Sequence, residues 1–271
     1  MKKYNISLLL LICVSILILL QLLSPLQAQE SVVVNEVSGT EYREGLELFK
    51  KEKYSESIGH FEKAYQADER NINALFAHGL SLSRLEQYKK AVTIYQQVLK
   101  KDPKHIKALK MLPATLINTG DTDKALAVYD RGIEVLPENY FFPFGKAVLN
   151  LQLKKYKEAV LLLKKAHEKD PSRIEILDRL LFAYREIGNM EDAFKTGLTI
   201  LEKNKNHARA RVAVADYKRL KGKLEEALEY YEIAARNLET KAYAEHYIDF
   251  IHQQLEEIEI EKEYEARQNQ N

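Results

Sequence analysis

Leu75, Gly79 and Leu82 recur at helical spacing, and Tyr88, Ala91, Val92, Tyr95 and Val98 do so again just downstream. The segment Leu85-Glu86-Gln87-Tyr88 between them reads as a turn. The pattern predicts a pair of amphipathic helices, and it recurs at a fixed period. Alanines stand at 91, 125, 159, 193 and 227, 34 residues apart, with Ser57 one step earlier. Pro103, Pro137 and Pro171 share that step, as do Phe61, Tyr95 and Tyr129, and the aromatic series resumes at Tyr231. The phase never slips, so six units follow without insertion: 38–71, 72–105, 106–139, 140–173, 174–207 and 208–241.

Each unit reads as a first helix (A), a turn and a second helix (B). Gly120, Gly188 and Gly222 occupy the turn of the third, fifth and sixth units, where a left-handed cap suits glycine. Asp102-Pro103, Leu136-Pro137 and Asp170-Pro171 end the B helix, because proline disfavours helix in the residue before it. The small residue at position 20 lets two helices approach, and the large one at position 24 fills the adjoining gap.

These six in-phase units resemble the tetratricopeptide repeat family. The resemblance implies an all-α, right-handed superhelical solenoid that binds proteins without catalysis. Three departures carry expectations of their own. Pro113 lies inside the A helix of the third unit, where it should kink or shorten it. Gly197 replaces the large residue at position 24 of the fifth unit, which predicts looser packing. Glu69 and Glu239 stand where proline is usual, as suits atypical terminal repeats.

The flanks differ from the repeats. Ile6 to Leu23 is an apolar run preceded by Lys2 and Lys3 and followed by Ser-Pro-Leu-Gln-Ala-Gln-Glu. That order predicts a secretory signal cut after Ala28, or a retained membrane anchor. Either way the positive-inside bias sends the rest of the chain across the membrane, to the periplasm or its membrane face. Residues 29–37 read as a linker. Residues 242–271 read as a helix that caps the sixth unit, with a stripe from Tyr243 to Ile258, and an acidic, polar tail.

Composition narrows the function. Lys plus Arg is 41 against 40 for Asp plus Glu, a balance that argues against a dedicated nucleic-acid binder. The one cysteine, Cys13, lies in the apolar run, so no internal disulfide or cysteine-based metal site exists. No phosphate loop, metalloprotease motif or nucleophile elbow appears, and the seven histidines do not cluster along the chain. No enzyme activity, cofactor or metal site is expected. His105 and His207, each closing a unit, read as turn or surface residues.

In the family, positions 2, 5, 9 and 12 of helix A line a ligand groove, since they lie opposite the packing stripe. Carried onto this chain, the stripe includes Tyr42 and Phe49, Phe76, Lys107 and Lys110, Phe141 and Phe144, Phe182 and Arg185, and Arg209 and Arg219. Aromatics dominate the first four units, and acids alternate with arginines in the last two. The expected function is a protein-interaction scaffold in the bacterial envelope that holds a peptide or helix in this groove. The alternative is a structural subunit that works through its outer face and ends, with the groove empty. The partner's identity and the oligomeric state are not legible.

Overall fold

The computed structural model describes residues 36–268, and among these residues there are thirteen helices and no strand. The expected signal or anchor lies outside the described residues. So does most of the expected linker, although residues 36 and 37 already belong to the first helix.

Six helix pairs follow one another: α1 (36–50) and α2 (Tyr54–Ala67), α3 (Ile72–Arg84) and α4 (Tyr88–Lys101), α5 (Ile106–Asn118) and α6 (Thr122–Val135). Then come α7 (Phe141–Gln152) and α8 (Tyr156–Lys169), α9 (Ile174–Glu186) and α10 (Met190–Lys203), and α11 (Ala208–Leu220) and α12 (Leu224–Ala234). A long helix, α13 (Lys241–Gln268), closes the chain. Odd-numbered helices through α11 are the A helices, and even-numbered ones are the B helices. The described residues form two compact units, divided between residues 128 and 129 within α6.

The turn between A and B repeats in detail. Glu52, Glu86, Gly120, Lys154, Gly188 and Gly222 all have positive φ, from 58° to 81°, and stand 34 residues apart. Only three are glycine. An L-residue there costs about 1–2 kcal/mol, and the hydrogen bonds that end the A helix hold it in place. In the second repeat Gln87 N–H donates to the Leu82 carbonyl at 2.9 Å and Glu86 N–H to that of Ser83 at 3.1 Å.

The periodic small residues are the closest-packed points. Ser57, Ala91, Ala125, Ala159, Ala193 and Ala227 are all fully buried. Ser57 adds a hydroxyl and lies 2.9 Å from the Ser81 hydroxyl, a buried pair that satisfies both. In the N-terminal unit the rings of Phe61 and Tyr95 are fully buried against Gly45 and Gly79, where a Cβ would lie 2.6 Å and 2.9 Å from ring carbons. Ser38 in α1 donates to the Ala64 carbonyl at 2.8 Å, which ties the start of α1 to α2.

In the C-terminal unit one core joins Ala147, Leu163, Ile176, Leu181, Ile200 and Ala213. A second joins Val212, Tyr231, Ala234, Ala244 and Ile251, so α13 seals the last repeat. It starts one residue earlier than the cap expected from the sequence and takes in most of the expected tail, ending at Gln268.

The three departures resolve differently. Helix α5 keeps the thirteen residues of α3 and α9 with buried Pro113 inside it, so the expected shortening does not occur. Gly197 does not loosen its repeat. A Cβ there would lie 3.1 Å from the Ala210 carbonyl and 3.3 Å from Val214 Cγ2. The missing side chain is replaced by the α11 backbone, drawn close because α11 presents Ala210 and Ala213. The first repeat breaks after α2 like the others, with Asp68 extended (φ −143°, ψ 102°) although no proline follows it. The sixth does differ, since α12 ends at Ala234 and Ala235 remains in the helical region.

Candidate functional site

The A-helix stripe can be followed within each compact unit. In the N-terminal unit Tyr42 is half-buried, its ring 5.9 Å from that of Phe61. Phe49 is half-buried and edge-on to Tyr54 at 5.0 Å. Phe76 departs from expectation. It is only 9% exposed, with its ring 5.7 Å from Tyr95 and 5.2 Å from His105. Helix α3 packs on α2 and on α4, and four consecutive residues, Ala74 to Ala77, are buried. A helix covered on both flanks has too narrow an open strip to expose position 5, so Phe76 belongs to the core. On α5, Lys107 is exposed and Lys110 half-buried, beside exposed Ile106 and Ile117.

In the C-terminal unit Phe141 and Phe144 are half-buried, and Phe144 packs on the larger core. Phe141 meets Phe142 edge-on at 5.5 Å. Phe182 is 43% exposed, held edge-on by Tyr156 at 6.1 Å. Of the expected aromatics it is the most open.

The charged end of the stripe is largely self-paired. Asp216 is 1% exposed, and a carboxylate so deep needs donors. Arg185 Nη2 donates to it at 3.0 Å, Tyr243 Oη at 3.0 Å, and Tyr231 Oη also donates. Burial, reinforced by the Asp216 charge, pushes both phenols far above the ordinary tyrosine range. Arg209 donates to Asp178 at 2.9 Å and to Glu239 at 2.8 Å. The Arg219 guanidinium lies 4.4 Å above the Tyr247 ring. Tyr243 and Tyr247 belong to α13, so the chain's own last helix covers the stripe in the sixth repeat. The sequence placed Arg185, Arg209 and Arg219 on one stripe but could not reveal that α13 lies over it.

Two features were missed in the sequence. His105 and His207 are helix caps: His105 Nδ1 accepts from Ala108 N–H at 3.1 Å, and His207 Nδ1 from Ala210 N–H at 3.3 Å. Asn71, at the same place in the first repeat, caps α3 through Ala74 N–H at 3.1 Å. That shared position 34, one residue before helix A, was the available signal. Burial pulls the His105 pKa below the ordinary imidazole value, helped by Lys107 and opposed by Asp102. The second feature is a triad from two helices. His60 Nδ1 on α2 lies 2.8 Å from Glu41 and 3.2 Å from Glu44, both on α1. The three offer ligand atoms within 4.8 Å of one another, an arrangement able to take a cation, and their separation in sequence hid it.

Chemically, the described stripe offers aromatic faces and lysine amines, which suit non-covalent recognition. Among the described residues no helix is long and apolar enough to cross a membrane.

A family model described as tetratricopeptide repeat matches residues 115–174, and one described as anaphase-promoting complex, cyclosome, subunit 3 matches residues 50–132. No curated protein matches. Among solved structures, MamA from Desulfovibrio magneticus RS-1 is 17% identical with a TM-score of 0.55, covering 64% of this chain and 98% of that one. MamA AMB-1 is 24% identical with a TM-score of 0.53, covering 62% and 91%. A tetratricopeptide repeat protein from Parabacteroides merdae ATCC 43184 is 17% identical with a TM-score of 0.50, covering 79% and 84%. At these identities the likeness is one of fold.

Proposed function

The chain is a member of the tetratricopeptide repeat family, and on that footing we propose that it is a non-enzymatic scaffold of the bacterial envelope. It holds a peptide segment or a helix of another protein against its A-helix stripe. A fold of repeated helix pairs supports protein binding in general. The observation that carries the finer reading is Phe182, a large ring 43% exposed at stripe position 9 and held by Tyr156. Leaving such a ring in water is unfavourable by about 25 cal/mol per Å² of apolar surface, and a partner removes that cost. The envelope assignment is supported by the order of Lys2, Lys3, the apolar run and the following acidic residues. A second reading, a structural subunit working through its outer face, is favoured by Leu161, 70% exposed on α8.

Capture of envelope proteins on the wild-type chain and on Phe182→Ala tests the groove reading. The substitution is expected to change folding stability by only about 0.5 kcal/mol. It is expected to weaken the retained partner by about thirtyfold, the equivalent of about 2 kcal/mol. An identical set of retained proteins on both forms would overturn it.

A further inference from the structure

Helix α13 continues well beyond what the last repeat needs. Its last buried residue is Ile251, yet it runs to Gln268. Ile251, Leu255 and Ile258 lie within about 60° of one another on the helix, the side that meets the repeats. Ile260 and Tyr264 fall within about 40° of each other on the roughly opposite side, and they are 62% and 64% exposed. Around them stand Glu256, Glu257, Glu259, Glu261, Glu263 and Glu265. A helical extension with little tertiary packing is marginal in water, and one with a second apolar stripe has a face left to bury.

The complement of that face is present on the same chain. On α5, Ile106, Lys110 and Ile117 lie within about 40° of one another. Ile106 is 44% exposed and Ile117 36%. Lys107 is exposed beside them, as are Lys100 at the end of α4 and Lys104 in the loop that follows, while Lys101 is already paired with Glu69 at 2.6 Å. One surface is thus an apolar helix stripe among lysines, and the other an apolar helix stripe among glutamates. Two like copies of α13 would instead bring glutamates together. We propose that the outer face of α13 docks on the lysine-rich α5 stripe of a second copy of this chain. This rests on the groove reading above and names one occupant for the α5 part of that stripe. The contact joins two different surfaces, so each copy keeps one α13 and one α5 free for further copies. The apolar residues supply affinity, while the lysines and glutamates set orientation and speed association.

The test uses two differently tagged full-length chains made in the same cells, with co-purification as the readout. Wild-type chains are expected to co-purify, and about tenfold less at high salt than at low salt, as screening weakens the charge contacts. One variant carries Ile260→Lys and Tyr264→Lys, and the other Lys104→Glu and Lys107→Glu. All four positions are exposed, so both variants are expected to melt like the wild type. Each variant paired with itself is expected to lose co-purification. The two mixed are expected to regain it, because one brings an intact α5 and the other an intact α13. Absence of co-purification by the wild type would overturn the proposal. So would variants that self-associate normally, or a mixed pair that does not recover. None of these failures touches Phe182-dependent capture, which tests the groove reading separately.

Discussion

At the residue scale, a place in the 34-residue register determined burial more reliably than it determined the face presented to a partner. Every position-20 residue is fully buried, and Phe61, Tyr95, Tyr129, Leu163 and Tyr231 at position 24 are buried too. Position 5 was less legible. Phe76 is core while Phe144 is half-buried, because exposure there depends on neighbouring helices rather than on spacing within one helix. The capping histidines bear directly on pH. Nδ1 of His105 accepts a backbone N–H only when unprotonated, and burial lowers its pKa in the folded chain. A folded-state pKa below the unfolded value, about 6.5, means the stabilising contribution is complete above that pH. It is lost as pH falls through the lower folded value. The melting temperature is therefore expected to fall between pH 7.5 and pH 5, and less so in His105→Asn, whose amide oxygen caps at any pH. Equal losses in both forms would show that the cap does not carry the effect.

At the element scale the six helix pairs and their turns were legible because each rests on local chemistry repeated in phase, and the closing helix because of its own apolar stripe. It misjudged places where an anomaly in one helix is answered by another. Pro113 sits inside a helix of ordinary length. Gly197, a gap when its own repeat is considered alone, is filled by the backbone of α11. The consequence is a substitution with an unexpected sign. Gly197→Leu would restore a large residue at position 24, as in the other five repeats, and improve helix propensity by about 1 kcal/mol. Yet its side chain would enter space held by the Ala210 carbonyl and Val214, and overpacking of that kind typically costs about 1–3 kcal/mol or more. Gly197→Leu is therefore expected to unfold at lower denaturant than the wild type. A gain in stability would mean that α10 and α11 are not in close contact there.

On the scale of the whole molecule, periodicity disclosed a helical repeat protein, and it could not disclose how much of the stripe is already occupied. Asp216, Arg185 and Arg219 are engaged by Tyr243 and Tyr247 of α13, so the sixth repeat's stripe is covered by the chain itself. That contact joins residues 27 or more positions apart, which no helical period encodes. What remains open in the C-terminal unit is centred on Phe182. The two functional readings therefore place the partner on different helices: against α9 in one, against the outer side of α8 in the other. Site-specific photocrosslinking in cells separates them most directly, with a photoreactive phenylalanine analogue at position 182 in one chain and at position 161 in another. A discrete adduct with another protein from position 182, and none from position 161, is the expected result. Adducts from position 161 alone would contradict binding at the A-helix stripe.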